Sequence, residues 1–485
     1  MELLLVDATA RYFYALHCLV WFCATVILAS SIDDLLVDIS YWMIRLGRWL
    51  GLLRQPPLSS VVQLAQQSQR PIAIMAPAWK ESEVIAHMVE NAVATYDYQE
   101  FHIFIGVYPN DPETIGEADR VAARYANVHK ITVPHGGPTC KADCLNWIIR
   151  GIFAFEQGSG VHFQGVVLHD AEDVVHPLEL QVFNTLLDRY DLIQVPILSL
   201  ERKWHEFVAG HYIDEFAELH SKDLIVREAL TGVVPGAGVA TCYSRRGLEG
   251  LARVTHGDLF NTGSLTEDYD FSFRMRRLGL KETFVRLPVL PDGKERAAAA
   301  GLRHELVATR EYFPDRFSAA VRQKSRWILG IVFQGWRSVR WERSILFNYF
   351  LLRDRKALVT SPVGALGYVV AVNVILLWLV NTLVPDSYRF PPIVEAGTPL
   401  YHLIQINFLF LLNRVAHRLV LIGGLYGIRQ GVLSVPRMVV GNFVNFGAFF
   451  RAARRWLSHL STGERIVWDK TAHSFPITQT TVTVA

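Results

Sequence analysis

The sequence predicts an α/β domain with a mostly parallel sheet, inserted between membrane-spanning helices. Three observations carry that expectation. Short apolar runs alternate with helical patterns across 70–310, long uncharged stretches are confined to the two ends of the chain, and charged clusters directly follow the short runs. A chain of 485 residues has room for one large domain plus a membrane part. Apolar residues make up 51%, and mean hydropathy is +0.20, so the excess must sit in a few segments. The formal net charge of +2 argues against a nucleic-acid partner, which would call for a basic stripe. Cys18, Cys23, Cys140, Cys144 and Cys242 follow no disulfide or zinc spacing, and unpaired thiols suit a reducing compartment.

The first element is the apolar run Phe13 to Ile32, twenty residues long, enough to cross a hydrocarbon core. Glu2 and Asp7 precede Arg11, the wrong charge for a signal peptide. Arg45, Arg48 and Arg54 follow, which puts the next side in the cytosol. Trp42 and Trp49 beside arginines suit a separate interfacial helix over 35–53.

The α/β domain follows, over 70–335. Strands are expected at 72–76, 102–107, 166–169, 192–197 and 283–287, and helices at 82–95, 115–126, 141–155 and 178–190. Ala297–Ala300 reads as a helix turn or a mobile loop.

A linker over 336–357 leads to a membrane region over 358–450. Leu358 to Val384 is a second span, with Arg353, Arg355 and Lys356 on its cytosolic side and the Pro-rich loop 385–398 outside. Residues 400–425 form a third, in whose inner half Arg414, His417 and Arg418 must either snorkel or face a polar cavity. The run 432–450 is broken by Pro436, Arg437, Asn442 and Asn445 and followed by Arg451, Arg454 and Arg455. A crossing there would put that basic cluster outside, so an interfacial or re-entrant helix and a cytosolic tail, 451–485, are expected. That makes three spans, with four as the alternative.

Polar clusters fall at strand ends, where α/β sheets bind ligands. They are Pro77-Ala78-Trp79-Lys80-Glu81, Tyr108-Pro109-Asn110-Asp111, Lys141–Asn146, His169–Asp173 and Thr266–Asp270, with Gln323–Trp327 beyond. Singly, each has a bland explanation: Thr266 before two acids is an ordinary helix cap, and Asp170–Asp173 a solvated turn. Carboxylates at the end of a buried strand can also hold Mg2+ or Mn2+. Their joint appearance in this order is the informative feature.

The order resembles the family 2 glycosyltransferases over roughly residues 70–335. The resemblance implies the GT-A, Rossmann-like fold. It implies a nucleotide-sugar donor held by Pro77, Trp79, Glu81, Asp111, Lys141, Asn146 and Asp170, and a divalent metal on Asp170 with Glu172 or Asp173. Asp268 of Thr-Glu-Asp would be the general base, beside Glu267. Gln323, Arg326 and Trp327 match the Gln-x-x-Arg-Trp of processive members such as cellulose and hyaluronan synthases, with Trp327, Gly236 and Gly238 on the acceptor side. A closer resemblance, to enterobacterial inner-membrane proteins tied to bacteriophage adsorption, rests on Tyr108–Pro112, Leu168–Asp173, Tyr212–Phe216, Arg310–Asp315, Val321–Gly335 and Trp468–Thr471. It implies a multi-pass inner-membrane protein with a cytosolic catalytic domain. Members of that family continue into a domain resembling a cyclic-di-GMP-binding module, which the 485 residues are expected to lack.

The expected function is therefore inverting sugar transfer from a nucleotide-diphosphate sugar to a glycan or lipid-linked acceptor at the bilayer. Such an enzyme would make an envelope or extracellular polysaccharide, with an outer-membrane export partner. The alternatives are a non-catalytic component of an adsorption or envelope complex, and a single-sugar transferase acting on a lipid carrier.

Overall fold

The computed structural model describes residues 2–58, 60–64, 67–255, 257–289, 305–384, 389–463 and 474–476. Helix α1 (Glu2–Trp49) is continuous. The separate interfacial helix expected after Ile32 is instead the same helix, because no glycine or proline interrupts the chain before Gly47. Its Asp33 and Asp34 meet Arg353 and Lys356, and Asp38 meets Lys222, so this stretch of α1 is tied by ion pairs to elements that lie over 300 and nearly 200 residues away.

The α/β domain runs β1 (Ile72–Pro77), α2 (Ile85–Thr95), β2 (Phe101–Val107), α3 (Pro112–Arg124), β3 (Val128–Thr132), α4 (Lys141–Ser159), β4 (Gly165–Leu168) and α5 (Glu179–Leu186). It continues through β5 (Leu192–Gln194), β6 (Ile197–Ser199), α6 (Phe207–Glu218), α7 (Leu224–Thr231), β7 (Thr241–Ser244), α8 (Arg245–Thr255), α9 (Glu267–Arg277) and β8 (Glu282–Phe284). Short strands β9 (Pro288–Val289), β10 (Glu305–Leu306) and β11 (Thr309–Glu311) precede α10 (Phe317–Ile328). Seven strands form one sheet in the order β3-β2-β1-β4-β7-β5-β8. Only β7 runs antiparallel to its neighbours, β4 and β5. Ile72 to Ala76 in β1 and all of β4 are buried, so these central parallel strands read as unbroken apolar runs. Strand β7, Thr-Cys-Tyr-Ser, lacks that signal and was not expected; neither were β3 and the short pairs β6–β11 and β9–β10. Pro112 at the first turn and Asp111 as N-cap start α3 three residues earlier than its apolar period suggests. Residues 297–300 lie outside the described residues.

Helices α11 (Ile345–Arg355), α12 (Ala357–Leu383), α13 (Pro399–Tyr426) and α14 (Ile428–Thr462) follow. Among the described residues four helices are long and apolar enough to cross a membrane by length and composition: α1, α12, α13 and α14. The fourth differs from the rest in its packing. On one face Gln430 meets Glu201, Arg437 meets Asp214, Asn445 meets Glu215 and Lys324, and Trp456 stacks on Phe333. These contacts to the α/β domain span 26 residues, about 39 Å of helix. On the opposite face Val432, Val435, Val439, Phe443, Phe450, Leu457 and Leu460 are exposed. One face of α14 thus packs on the α/β domain, and the other is apolar and exposed.

The charges of α13 are neither isolated nor bare. Arg418 is buried and makes two bonds, both 3.1 Å, to Glu218, and His417 accepts from the Trp42 indole N–H at Nε2 and donates from Nδ1 to the Asn413 carbonyl. Arg414 and Arg418 border a cavity of about 360 Å³ between α6, α13 and α14, lined also by His211, Glu215 and Asn445.

Candidate active site

A cleft of about 120 Å³ opens at the carboxyl ends of β1 and β4, at the point where strand order reverses around the sheet centre. Four chain segments converge on it. Lys141 is the first residue of α4, Asp170 and Glu172 follow β4, Glu267 and Asp268 open α9, and Gln323, Arg326 and Trp327 lie on the last turns of α10. Pro77, Glu81 and Gly238 also line it.

The Lys141 ammonium is the electrostatic centre. It lies 2.6 Å from Asp170 and donates to the Gly238 carbonyl at 2.9 Å. Burial lowers its pKa, but Asp170, then Glu267 and Asp268, outweigh burial and hold it above the usual lysine range. Burial pushes Glu267 up to about 7, helped by the Asp268 charge and opposed by Lys141. Asp268 is raised as well, by burial against the pull of Lys141. Two adjacent carboxyls of raised pKa in a cleft beside a lysine suit proton transfer near neutrality.

The capping explanation for the Thr266 cluster does not hold. Thr266 sits at the N-cap of α9, yet its side chain makes no cap hydrogen bond and its buried Oγ1 has no hydrogen-bond partner. Gly238 is required where it stands. Its φ of +81° is a left-handed conformation, and a Cβ there would come within 2.9 Å of Asp268 Oδ2. Gly236 does not line the cleft; its N–H donates to Ser272 Oγ at 2.6 Å, and a Cβ would reach within 2.9 Å of the Asp268 carbonyl. It backs the base rather than facing an acceptor.

Three expected donor residues are likewise placed behind the cleft. Asn146 is buried and bonds the Phe260 N–H and carbonyl, both at 2.8 Å, clamping the loop before α9. Asp111 caps α3 and accepts from the Lys80 N–H at 2.5 Å, which holds the turn after β1. Trp79 packs edge-on to Tyr108 and against Gly137. Asp173 is not brought to the cleft at all. It is fully buried and accepts from His169 Nδ1 at 2.8 Å and the Asp170 N–H at 3.0 Å. Burial lowers the His169 pKa, but Glu179 and Asp173 outweigh it and raise the ring to about 10. This is a buried ion cluster under the sheet end; both bonds fall on Asp173 Oδ2, and among the described residues its buried Oδ1 has no hydrogen-bond partner. Glu311 of β11, Ser264 and Phe216 line the cleft without having been expected there; Glu311 falls in the run Arg310–Asp315 and Phe216 in Tyr212–Phe216, while Ser264 lies in neither.

The donor set fits a hard divalent cation. Asp170 and Glu172 face one space, and one or two carboxylates suffice where substrate phosphates and water complete the shell. Among the described residues no cluster of three or more His, Cys, Asp or Glu forms a closed metal cage.

A sheet of this order with a cleft at its carboxyl edge is the arrangement of the GT-A fold. Residues 165–383 match the family described as "Glycosyl transferase family group 2". The chain is 45% identical over 476 residues to bacteriophage adsorption protein B of Escherichia coli K12. It is equally similar to bacteriophage N4 adsorption protein B of Escherichia coli O157:H7. These alignments cover 97% of this chain and 64% of the relatives' length. Among solved structures, a mannosyltransferase from Pyrobaculum calidifontis, PcManGT, in complex with GDP-Man and Mn2+, superposes with a TM-score of 0.50 at 14% identity. That superposition covers 85% of this chain and 99% of the mannosyltransferase, and it establishes the fold.

Proposed function

We propose that the protein is a membrane-bound inverting glycosyltransferase that uses a nucleoside-diphosphate sugar to build an envelope or extracellular polysaccharide. The observation that carries this reading is the convergence of Asp268, the Lys141–Asp170 pair and the Gln323–Arg326–Trp327 face on one cleft. In a single displacement the Asp268 carboxylate takes the proton of the acceptor hydroxyl while that oxygen forms its bond to the anomeric carbon. The bond from that carbon to the diphosphate breaks, and the electron pair leaves with the nucleoside diphosphate. Lys141 and Arg326 bring positive charge to the cleft where that diphosphate departs. Trp327, set edge-on to Tyr212 and Phe216 at 6.2 Å, offers an apolar edge for an acceptor sugar. Asp170 and Glu172 would hold the Mg2+ or Mn2+, which when bound neutralises developing phosphate charge. Further donor contacts in the cleft rest on Pro77 and Glu81, with Trp79, Asp111 and Asn146 behind them holding the walls.

In this reading α1, α12 and α13 cross a bacterial inner membrane, the α/β domain is cytosolic, and α14 lies in the membrane surface with its apolar face in lipid. The two-sided packing of α14 supports that placement. The cavity between α6, α13 and α14 is polar and adjoins the α10 helix through the Lys324–Glu215 pair, which supports an outward route for product toward an export partner.

A panel of nucleotide sugars supplied to the full chain in nanodiscs, with product mass spectrometry, identifies the donor and whether a polymer forms. Asp268→Asn then keeps Mn2+-dependent binding of UDP or GDP and loses transfer by about 10²–10⁴-fold, the usual contribution of a general base. Wild-type turnover in that variant would refute the assignment.

A further inference from the structure

The helix carrying Gln323, Arg326 and Trp327 does not end in a regular turn. Residues Leu329–Gln334 form a π-helical turn, a rare geometry that recurs at functional sites. Two of its residues reach the loop that leads into Asp268. Gln334 Oε1 accepts from the Leu265 N–H at 2.9 Å, and Gln334 Nε2 donates to the Gly263 carbonyl at 3.3 Å. One turn earlier, Gly330 lies flat against Thr266, where a Cβ would come within 2.6 Å of Thr266 Cγ2. Thr266 makes no side-chain cap bond; its carbonyl accepts from the Asp270 N–H at 3.2 Å and its N–H donates to Ser264 Oγ at 3.2 Å, and Gln334 with the close approach of Gly330 holds the loop from outside the helix. From the other side, Ser272 Oγ bonds the Asp268 carbonyl at 3.1 Å and accepts from Gly236. The base is thus braced between two elements, and one of them is continuous with the acceptor face.

We infer that Gln334 is a positioning residue for the base, with Gly330 as its packing partner: together they hold the loop 263–266 so that Asp268 faces the cleft. The inference rests on the reading of Asp268 above. The π turn is also stacked, through Phe333, on Phe449 and Trp456 of α14 at 6.2 and 5.9 Å. The brace therefore stands on a fixed support and not on a free helix end.

The test uses the full chain in nanodiscs with the donor that the wild type turns over, and UDP and GDP with Mn2+ as binding probes. Gln334→Met keeps the side-chain length and removes both hydrogen bonds. Its kcat should fall roughly 10- to 100-fold, as expected when a reacting group is displaced by up to an ångström, while nucleoside-diphosphate affinity is kept. Gly330→Ala, which pushes on Thr266 from the other contact, should give the same split. Wild-type kcat in Gln334→Met overturns the inference, and so does a parallel loss of nucleoside-diphosphate affinity, which would mark a general structural role. An unaffected Asp268→Asn would instead overturn the assignment of the base, so the two failures are distinguishable.

Discussion

Replacing Gly238 by alanine adds one methyl group at the point where the backbone passes the base. Two costs can be read from the geometry. The first is conformational: at φ +81° a residue with a Cβ is strained by roughly 1–2 kcal/mol. The second is local: the methyl would lie 2.9 Å from Asp268 Oδ2 and 3.7 Å from Lys141 Nζ, so the carboxylate must shift by a few tenths of an ångström. A separate glycine isolates the first cost. Gly232 has φ +69° at the end of α7, and a Cβ there meets nothing within 4 Å. Gly232→Ala should lower stability by a similar ~1–2 kcal/mol and leave kcat unchanged. Gly238→Ala should add to that a drop in kcat of roughly tenfold or more, about 1.4 kcal/mol of barrier, with nucleoside-diphosphate binding retained. Thermal melting in detergent and steady-state kinetics on both variants measure the two costs separately. Equal kcat in the two alanine variants would show that Gly238 acts only through its backbone, and the contact with Asp268 would carry no catalytic weight.

Two further outcomes are expected. Arg437 and Asp214, 3% and 1% exposed, join α14 to α6 by bonds of 2.6 and 3.1 Å; Arg437→Met leaves a buried carboxyl and should cost about 3–5 kcal/mol in melting experiments, much of it regained by adding Asp214→Leu. Burial raises Glu267 to about 7 and Asp268 above the ordinary carboxylate range, so the base loses its charge, and turnover falls, as pH drops through these raised values. The Glu267 shift acts on stability with the opposite sign: the folded state holds a proton the unfolded chain has released, so its contribution is present below about 4.5 and lost as pH rises through about 7. A kcat/KM profile with no acid limb above pH 5 would contradict this.

Much of the architecture was legible because parallel strands buried on both faces leave continuous apolar runs, and helices between them leave a 3.6-residue period. That is why β1, β2, β4, β5 and β8 were found within a residue or a few of their ends. Strand β7 was not, since Thr241 to Ser244 are buried by neighbours rather than by apolar character of their own. Of the acids expected at the site, Asp170, Glu172, Glu267 and Asp268 share the cleft and Asp173 and Asp111 do not, a division that spacing does not reveal. Asp170 and Asp173 are three residues apart, and only the turn after β4 sends one into the cleft and the other under the sheet to His169.

The sequence by itself determined the class of domain, the apolar end segments and the company of Asp268, because each depends on residue type and local order. Tertiary structure alone decided which members of each cluster touch the cleft, that α14 is backed by the α/β domain over most of its length, and that Gln334 supports the base. Those facts are contacts between segments up to some two hundred residues apart, such as Arg437 on Asp214 or Gln334 on Leu265, and no local pattern encodes a distance.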